Sequence, residues 1–329
     1  MVVVTGAPGH LGNNLVRLLL QRGMTVRAMV LKGESLEPLR GLDVEIVEGD
    51  VRHPSTLDRA FEGADTVFHL ASIISLLPGR SDLLEQVNVH GARNVAESCL
   101  RMGVRRLVYT SSIHALVEPP RGTGIDESVG CDPARVMMEY SKTKAQGTLE
   151  VLDVVKQGLD AVVLFPSGVI GPHDFKPSEA GQMIMSFVKG RLPATVAGGY
   201  NFVDVRDVAE GHLLAAEKGR TGEGYILAGE WISVTDVLRC VSEIVGRPVP
   251  RLSVSPRLAL AAARLLTWYC IKTGSKPMFS TDMIEALLSN SQVISTKAAR
   301  ELGYSARPIR ETIRDTVLWM RQERMVDPS

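Results

Sequence analysis

The sequence has no charge of one sign to spare: its 37 basic and 37 acidic side chains cancel. No long run of Lys or Arg interrupts that balance. Electrostatic capture of nucleic acid rests on a basic surface, so nucleic acid is not an expected partner. Cysteine is scarce, with 4 residues scattered at Cys99, Cys131, Cys240 and Cys270. None forms a Cys-x-x-Cys pair, so reduced, buried thiols are expected and no metal is assigned. Long apolar runs are also missing. Leu258 to Ile271 is nearly all apolar, broken by Arg264. That stretch falls short of the roughly 20 residues a helix needs to span a bilayer. A helix covering a pocket is expected there, with attachment to a membrane surface left open. Met1 runs straight into Val2-Val3-Val4 with no charged region or cleavage site. No secretory signal is therefore expected, and a cytoplasmic location is.

What is present is an ordinary globular balance, 45% hydrophobic and 22% charged over 329 residues. In the first half, short β-branched runs alternate with longer amphipathic ones. Val2–Thr5, Thr25–Val30, Val44–Val47, Thr66–Leu70, Arg106–Thr110 and Ala161–Phe165 read as buried strands. Leu11–Gln21, Ser55–Phe61, Leu83–Met102 and Met138–Gln157 read as helices between them. This order predicts an α/β fold, a doubly wound parallel sheet of Rossmann type with helices on both faces. After Phe165 the rhythm breaks, and Pro166, Gly168, Gly171, Pro172 and Pro177 suggest loops. Gly181–Lys189 and Val205–Glu217 look helical, with strands near Phe202 and over Gly224–Leu227. Pro248, Pro250 and Pro256 mark a joint before three helical patterns, Arg257–Lys272, Thr281–Leu288 and Ile309–Arg324. The expected division is a dinucleotide-binding domain over 1–165, joined by parts of 203–228. A smaller, interrupted substrate lobe takes 166–202 and 229–329.

Thr5-Gly6-Ala7-Pro8-Gly9-His10-Leu11-Gly12 lies between the first strand and the first helix. Gly6 permits a tight turn, Gly9 lets backbone approach a diphosphate, and Gly12 lets helix and strand pack closely. The helix N-terminus adds free N–H donors and a partial positive charge. Gly6, Pro8, Gly9, His10, Leu11 and Gly12 are thus expected to hold a nicotinamide dinucleotide, making the protein a soluble oxidoreductase. Asp50 and Val51, after the third strand, and Leu70, Ala71 and Ser72, after the fourth, lie where such sheets bind ligands. Asp50 could accept from an adenine amino group. His69 is expected to be a structural, hydrogen-bonded histidine.

Tyr140 and Lys144 stand four residues apart and share one face of a helix. Ser111-Ser112 ends the fifth strand, at the sheet edge that carries the glycine turn. Interconverting an alcohol and a ketone moves one hydride and one proton. Tyr can move the proton, but ionising it at pH 7 costs about 4 kcal/mol at its reference pKa. Lys144 and an oxidised nicotinamide ring would lower that cost. Ser112 would share charge developing on the substrate oxygen.

These elements, in order, resemble the extended short-chain dehydrogenase/reductase family, also termed the NAD-dependent epimerase/dehydratase superfamily. The likeness runs from end to end. It includes Asn88-Val89-His90-Gly91, Tyr109-Thr110-Ser111-Ser112, Pro166-Ser167-Gly168-Val169-Ile170-Gly171-Pro172 and Phe202-Val203-Asp204-Val205-Arg206-Asp207-Val208. It implies Ser112, Tyr140 and Lys144 as catalytic residues, and Asn88 as support for their hydrogen bonds. Pro166, Gly168 and Val169 would flank the nicotinamide. Ser112-Ile113-His114-Ala115-Leu116 and the segments Ser295 to Tyr304 and Asp315 to Trp319 look most like 3β-hydroxysteroid dehydrogenases and dihydroflavonol reductases.

The resemblance also leaves rivals. Sugar-nucleotide epimerases and dehydratases usually carry an Arg just before the Phe-Val-Asp-Val segment, where this chain has Gly198-Gly199-Tyr200-Asn201. Ile73-Ile74-Ser75-Leu76-Leu77 is apolar, and Met137, Met138, Met183 and Met185 could add adaptable apolar surface. A small lipophilic substrate, steroid- or terpenoid-like, is therefore expected over a nucleotide sugar. A non-catalytic dinucleotide sensor is the third reading, disfavoured because Ser112, Tyr140 and Lys144 are all present. Val30 stands where relatives carry the ribose-binding acid and Leu31 where NADP users carry Arg. Lys32 could reach a 2′-phosphate, so among NAD(P) cofactors NADP is favoured. The family habit of homodimerisation would use Leu83–Met102 and Met138–Gln157. No residue identifies itself as a second proton-transfer group, and His173 reads as a solvated loop histidine.

Overall fold

The computed structural model describes residues 1–74, 81–120, 122–263, 284, 287 and 292–326. Seven strands form one sheet: β1 (Val2–Thr5), β2 (Val26–Val30), β3 (Glu45–Glu48), β4 (Thr66–His69), β5 (Arg106–Thr110), β6 (Ala161–Pro166) and β10 (Gly224–Leu227). Their spatial order is β10-β6-β5-β4-β1-β2-β3, and every neighbouring pair is parallel. This is the expected doubly wound sheet. Alternation along each strand feeds two cores. Val3, Val67, Leu107 and Val163 face one layer, and Val2, Val4, Phe68, Val108, Val162 and Leu164 the other.

Helices α1 (His10–Gln21) and α7 (Val205–Lys218) pack together against the second core. On the opposite face lie α2 (Pro54–Phe61), α4 (Gly91–Arg101) and α5 (Glu139–Val155). The single helix expected over Leu83–Met102 is instead interrupted. A short helix, α3 (Ser81–Glu85), leads into a π-helical turn at Gln86–His90 and then into α4. Gly147 on α5 permits that turn to press close, since a Cβ there would lie 2.1 Å from the Asn88 carbonyl oxygen.

The second half departs further from the expectation. The stretch assigned to loops contains β7 (Gly168–Ile170), which pairs parallel with β9 (Gly199–Asp204). A strand not anticipated at all, β11 (Glu230–Ser233), pairs antiparallel with the other edge of β9. It leads through the Ser233 cap into α8 (Val234–Val245), also unanticipated, which ends on Gly246 at φ 70°. These elements, α6 (Glu179–Val188) and α10 (Ile309–Gln322) share a third core around Phe187, Phe202, Val237, Val317 and Met320. A short helix, α9 (Thr296–Leu302), precedes α10. β8 (Thr195–Val196) and β12 (Ser253–Val254) form a small parallel pair.

Buried charges tie α10 to α7. Asp204 caps α7 by accepting from Arg206 N at 2.7 Å and pairs with the Arg206 guanidinium at 2.7 Å. Arg206 continues to Asp315 at 2.9 Å, while Arg307 pairs with Asp207 at 2.7 Å. Residues 256–263 are helical. The rest of the apolar stretch to Ile271 lies outside the described residues, as do Ser75 to Leu77 and most of Thr281–Leu288. Among the described residues, no helix is long and apolar enough to cross a membrane.

Candidate active site

The chemistry-bearing residues gather at the C-terminal edge of the parallel sheet, beginning with the turn after β1. Gly6 adopts φ +67°, and a Cβ there would lie 2.8 Å from Ala71 N. A Cβ on Gly12 would lie 2.2 Å from the Gly6 carbonyl oxygen. Both positions therefore require glycine, one for conformation and one for space. Gly9 is the N-cap of α1, with no side-chain cap bond and no acid in the first helical turn. Backbone donors thus remain at the helix start, where an anion is favoured. A cradle so close to backbone, with its donors uncapped, fits a dinucleotide diphosphate. His10 and Leu11 face elsewhere: His10 Nε2 lies 3.1 Å from the Pro172 carbonyl, and Leu11 packs on the second core. Only their backbone is available to a phosphate. Pro8 is buried in the turn.

Thr5 fixes the next loop. Its Oγ1 accepts from Leu70 N and Ala71 N, both at 3.2 Å, leaving its proton for His69 Nδ1 at 2.7 Å. Burial first, and the Lys144 charge second, hold His69 down to about 3, so it is a neutral brace. Ser72 is exposed at the same edge. Asp50 is already engaged: Arg52 Nε lies 3.0 Å from each carboxylate oxygen, and this hydrogen bonding is the main cause lowering the Asp50 pKa. An adenine amino group would compete with Arg52 there. Val51 serves packing, and its carbonyl accepts from Asn94 at 2.9 Å.

At the end of β2, Lys32 is exposed. Sequence reasoning overlooked Glu34, whose Oε2 accepts from Leu31 N at 3.4 Å and whose Oε1 pairs with Lys176 at 2.9 Å. An acid therefore does stand beside the ribose end of the strand, four positions beyond Val30.

The end of β5 sends its two serines in different directions. Ser111 Oγ is 2.7 Å from Thr148 Oγ1, inside the packing against α5. Ser112 stands beside Tyr140, its hydroxyl close enough to favour the ionised phenol. Burial pushes the Tyr140 phenol up to about 12, with the Ser112 hydroxyl pulling down. One turn along α5 stands Lys144. Its Nζ is turned to the β5 backbone, 2.6 Å from the Thr110 carbonyl oxygen and 5.0 Å from the Tyr109 ring centre. Burial lowers Lys144 to about 7. Thr110 is itself held from behind: His212 Nδ1 meets the Val208 carbonyl at 2.7 Å, so His212 Nε2 accepts the Thr110 hydroxyl at 2.7 Å.

Asn88 sits in the π turn and reaches neither Tyr140 nor Lys144. It accepts from Ile73 N and donates to Ile73 O, both at 2.9 Å, and donates to Thr143 Oγ1 at 3.1 Å. Thr143 in turn donates to the Tyr140 carbonyl at 2.9 Å. Asn88 thus clamps the loop after β4 to the first turn of α5. Pro166 ends β6, and Gly168 and Val169 begin β7 against β9.

Two site residues were missed. His114 Nε2 and Tyr200 Oη are 2.8 Å apart, and their rings stack at 5.8 Å. His114 N also donates to Ser112 Oγ at 3.3 Å. The Tyr200 ring leaves no room for a side chain at 168, where a Cβ would lie 2.7 Å from its Cδ1. The available signal was His114 close behind Ser112, but only the β7–β9 pairing brings Tyr200 to it. His173 is not solvated; it packs between Phe175 and Trp319, at centroid distances of 6.2 and 5.7 Å.

A glycine cradle on this sheet, beside a Tyr–Ser pair and a buried Lys, defines the dinucleotide-binding class of α/β oxidoreductase. The family described as NAD dependent epimerase/dehydratase matches residues 2–228. Sterol demethylase protein B of Methylococcus capsulatus is 37% identical over 329 residues, 98% of this chain and 99% of the relative. A 3-beta-hydroxysteroid dehydrogenase of Mycolicibacterium neoaurum is 30% identical, over 92% of this chain and 86% of the relative. The crystal structure of gox2253 superposes with a TM-score of 0.87 at 34% identity, covering 99% of both chains. The chain belongs to the NAD-dependent epimerase/dehydratase family, within the extended short-chain dehydrogenases/reductases.

Proposed function

We propose that this enzyme interconverts a secondary alcohol and a ketone on a lipophilic, steroid- or terpenoid-like substrate. The observation that carries the reading is Tyr140 beside Ser112 at the sheet edge, with Lys144 anchored on Thr110 one turn along the same helix. Tyr140 would take the alcohol proton or return it to the ketone oxygen, and Ser112 would hold that oxygen and share its charge. Lys144 would hold the ribose hydroxyls and add positive charge near the phenol. Asn88 would position the loop and helix on either side. The nicotinamide, when bound, supplies the hydride acceptor or donor.

The substrate class draws on a second observation. A cavity of about 240 Å³ lies among Met183, Leu192, Val196, Val234, Ala262 and Leu287, with Thr195 the polar side chain among the described lining residues. An apolar cavity of about 150 Å³ already binds benzene, so this one suits part of a larger hydrocarbon. It lies next to Gly198, the residue before β9, where Leu287 is in contact. Tyr200, not a cation, stands in the stretch where sugar-nucleotide relatives carry Arg. The sterol-related names of the relatives point the same way.

For the cofactor we favour NADP, through Lys32, with the Glu34 charge offset by Lys176; compared affinities for the two cofactors would test it. We assign the nucleotide-binding domain to 1–165 with parts of 203–228, and the substrate lobe to 166–202 and 229–329. We assign homodimer contacts to the outer faces of α4 and α5, where Leu100 and Leu149 are exposed. Sedimentation would test that assignment. The catalytic reading is tested by Tyr140→Phe. Turnover should fall by on the order of 10²- to 10⁴-fold while cofactor affinity holds, and unchanged turnover would refute the assigned role.

A further inference from the structure

The two ring nitrogens of His10, the first residue of α1, face two acceptors. Nε2 lies 3.1 Å from the Pro172 carbonyl, which can only accept, so Nε2 carries a proton. Nδ1 faces Asp174 Oδ1 at 4.0 Å. Asp174 is 2% exposed, and among the described residues nothing donates to that oxygen. The carboxylate is fixed in place. Its other oxygen accepts from Ser178 N at 2.7 Å, and a Cβ at Gly181 would lie 2.5 Å from it. The loop that carries Asp174 is stitched to the same helix: Asn13 donates to the His173 carbonyl and Asn14 to the Pro172 carbonyl, both at 3.1 Å. A neutral imidazole protonated at Nε2 therefore turns a lone pair toward a buried carboxylate. Two acceptors left facing each other are a costly arrangement for buried polar groups.

The charges around the ring are opposed. Arg17 stands on the same helix and Arg206 on α7; burial first, and then the charges of Arg17, His10 and Arg206, hold the neighbouring His173 down to about 4. Arg206 is already paired with Asp204 and Asp315, and Glu323 faces Arg17. Asp174 pulls the other way. The cradle itself, from Thr5 to Val16, has no Lys or Arg. A diphosphate resting on the helix start would add negative charge beside the ring. The ring is tethered to a backbone N–H of the cradle and so stays inside the ~10 Å over which salt screens charge. We propose that His10 takes up a proton from solvent when the dinucleotide binds, and that the imidazolium, held by Asp174, balances the diphosphate charge. This rests on the reading of the glycine turn as the diphosphate cradle. The proton goes to Nδ1, and the two facing acceptors become an ion pair. Asp174 follows β7, so the same ion pair ties the cradle to the segment entering α6.

The test is titration calorimetry of the whole chain with ADP-ribose. That ligand carries the diphosphate but neither a nicotinamide charge nor a titrating 2′-phosphate. Binding heats in buffers of different ionisation enthalpy give the protons taken up. Between about pH 6 and pH 9, a range that brackets ordinary histidine titration, uptake should reach up to about one proton per ligand. Affinity should accordingly fall as pH rises, by up to about tenfold per pH unit. His10→Gln keeps a donor for Pro172 and has no second site for a proton. Asp174→Asn keeps an acceptor for Ser178 and offers Nδ1 an amide donor, so the neutral ring is satisfied. Both variants should bind ADP-ribose with the uptake and the pH dependence lost, and the second guards against a folding defect in the first. Binding without uptake in the wild type, or unchanged uptake in either folded variant, overturns the proposal. No binding of ADP-ribose would overturn the cradle itself, and the proposal with it.

Discussion

The turn at Thr5–Gly12 and the small sheet of β7, β9 and β11 both border the site, but they are built on different scales. The turn closes on itself within a few residues: Gly12 meets the Gly6 carbonyl, and Gly9 caps the helix that follows. The small sheet gathers 168–170, 199–204 and 230–233, segments separated by long excursions. The proposed diphosphate cradle is therefore a local device, and the proposed substrate wall is a product of the whole second half. The difference implies that cofactor and substrate affinity can be broken independently.

The largest expected effect is on the local side. In Gly12→Ala the new Cβ would meet backbone, which cannot swing away as a side chain could. Overpacking costs about 1–3 kcal/mol, so cofactor affinity should drop by about 10- to 100-fold. Titration of intrinsic fluorescence measures this, and an unchanged affinity would remove the turn from the cradle. On the long-range side, Ala262→Phe would fill much of the apolar cavity. We expect KM for a steroid to rise about tenfold, the worth of roughly 1.4 kcal/mol, with cofactor affinity kept. An equal rise for a small, tail-less ketone would detach the cavity from substrate binding.

The smallest effect concerns Lys144, where the two sides meet. Its folded value of about 7 lies below its ordinary 10.5. Below pH 7 the native state carries a buried ammonium at a cost. Between these two values the native state sheds its proton while the unfolded chain keeps it, so stability rises with pH. Lys144→Met removes that rise. Its melting temperature, relative to wild type, should fall by a few degrees between pH 7 and pH 10. A constant difference would contradict a buried charge.

The same contrast explains what could be read from sequence. All seven strands of the large sheet were legible to within one residue at each end, because parallel strands are continuous apolar, β-branched runs; only β3, at the sheet edge, is largely exposed where a buried strand was expected. The glycine turn was legible because its chemistry is local. Ser112, Tyr140 and Lys144 were legible from spacing and strand position, but not the turn of Lys144 toward Thr110, which depends on β5 and α7 together. β7 was hidden by Pro166 and Gly168, which read as loop punctuation, and Gly168 is explained only by the Tyr200 and Phe202 rings of β9. The short β11 runs directly into α8 with no turn residues between them, so both escaped. Asn88 was read as support for the site's hydrogen bonds, but its clamp on Ile73 and Thr143 requires the π turn, which has no periodicity of its own.

The most direct test of the central claim is single-turnover absorbance of the bound cofactor against a panel of hydroxysteroids and UDP-sugars. The account predicts cofactor reduction by a hydroxysteroid, lost in Tyr140→Phe, and none by the UDP-sugars. Cofactor-dependent conversion of a UDP-sugar, with no response to any hydroxysteroid, would contradict it.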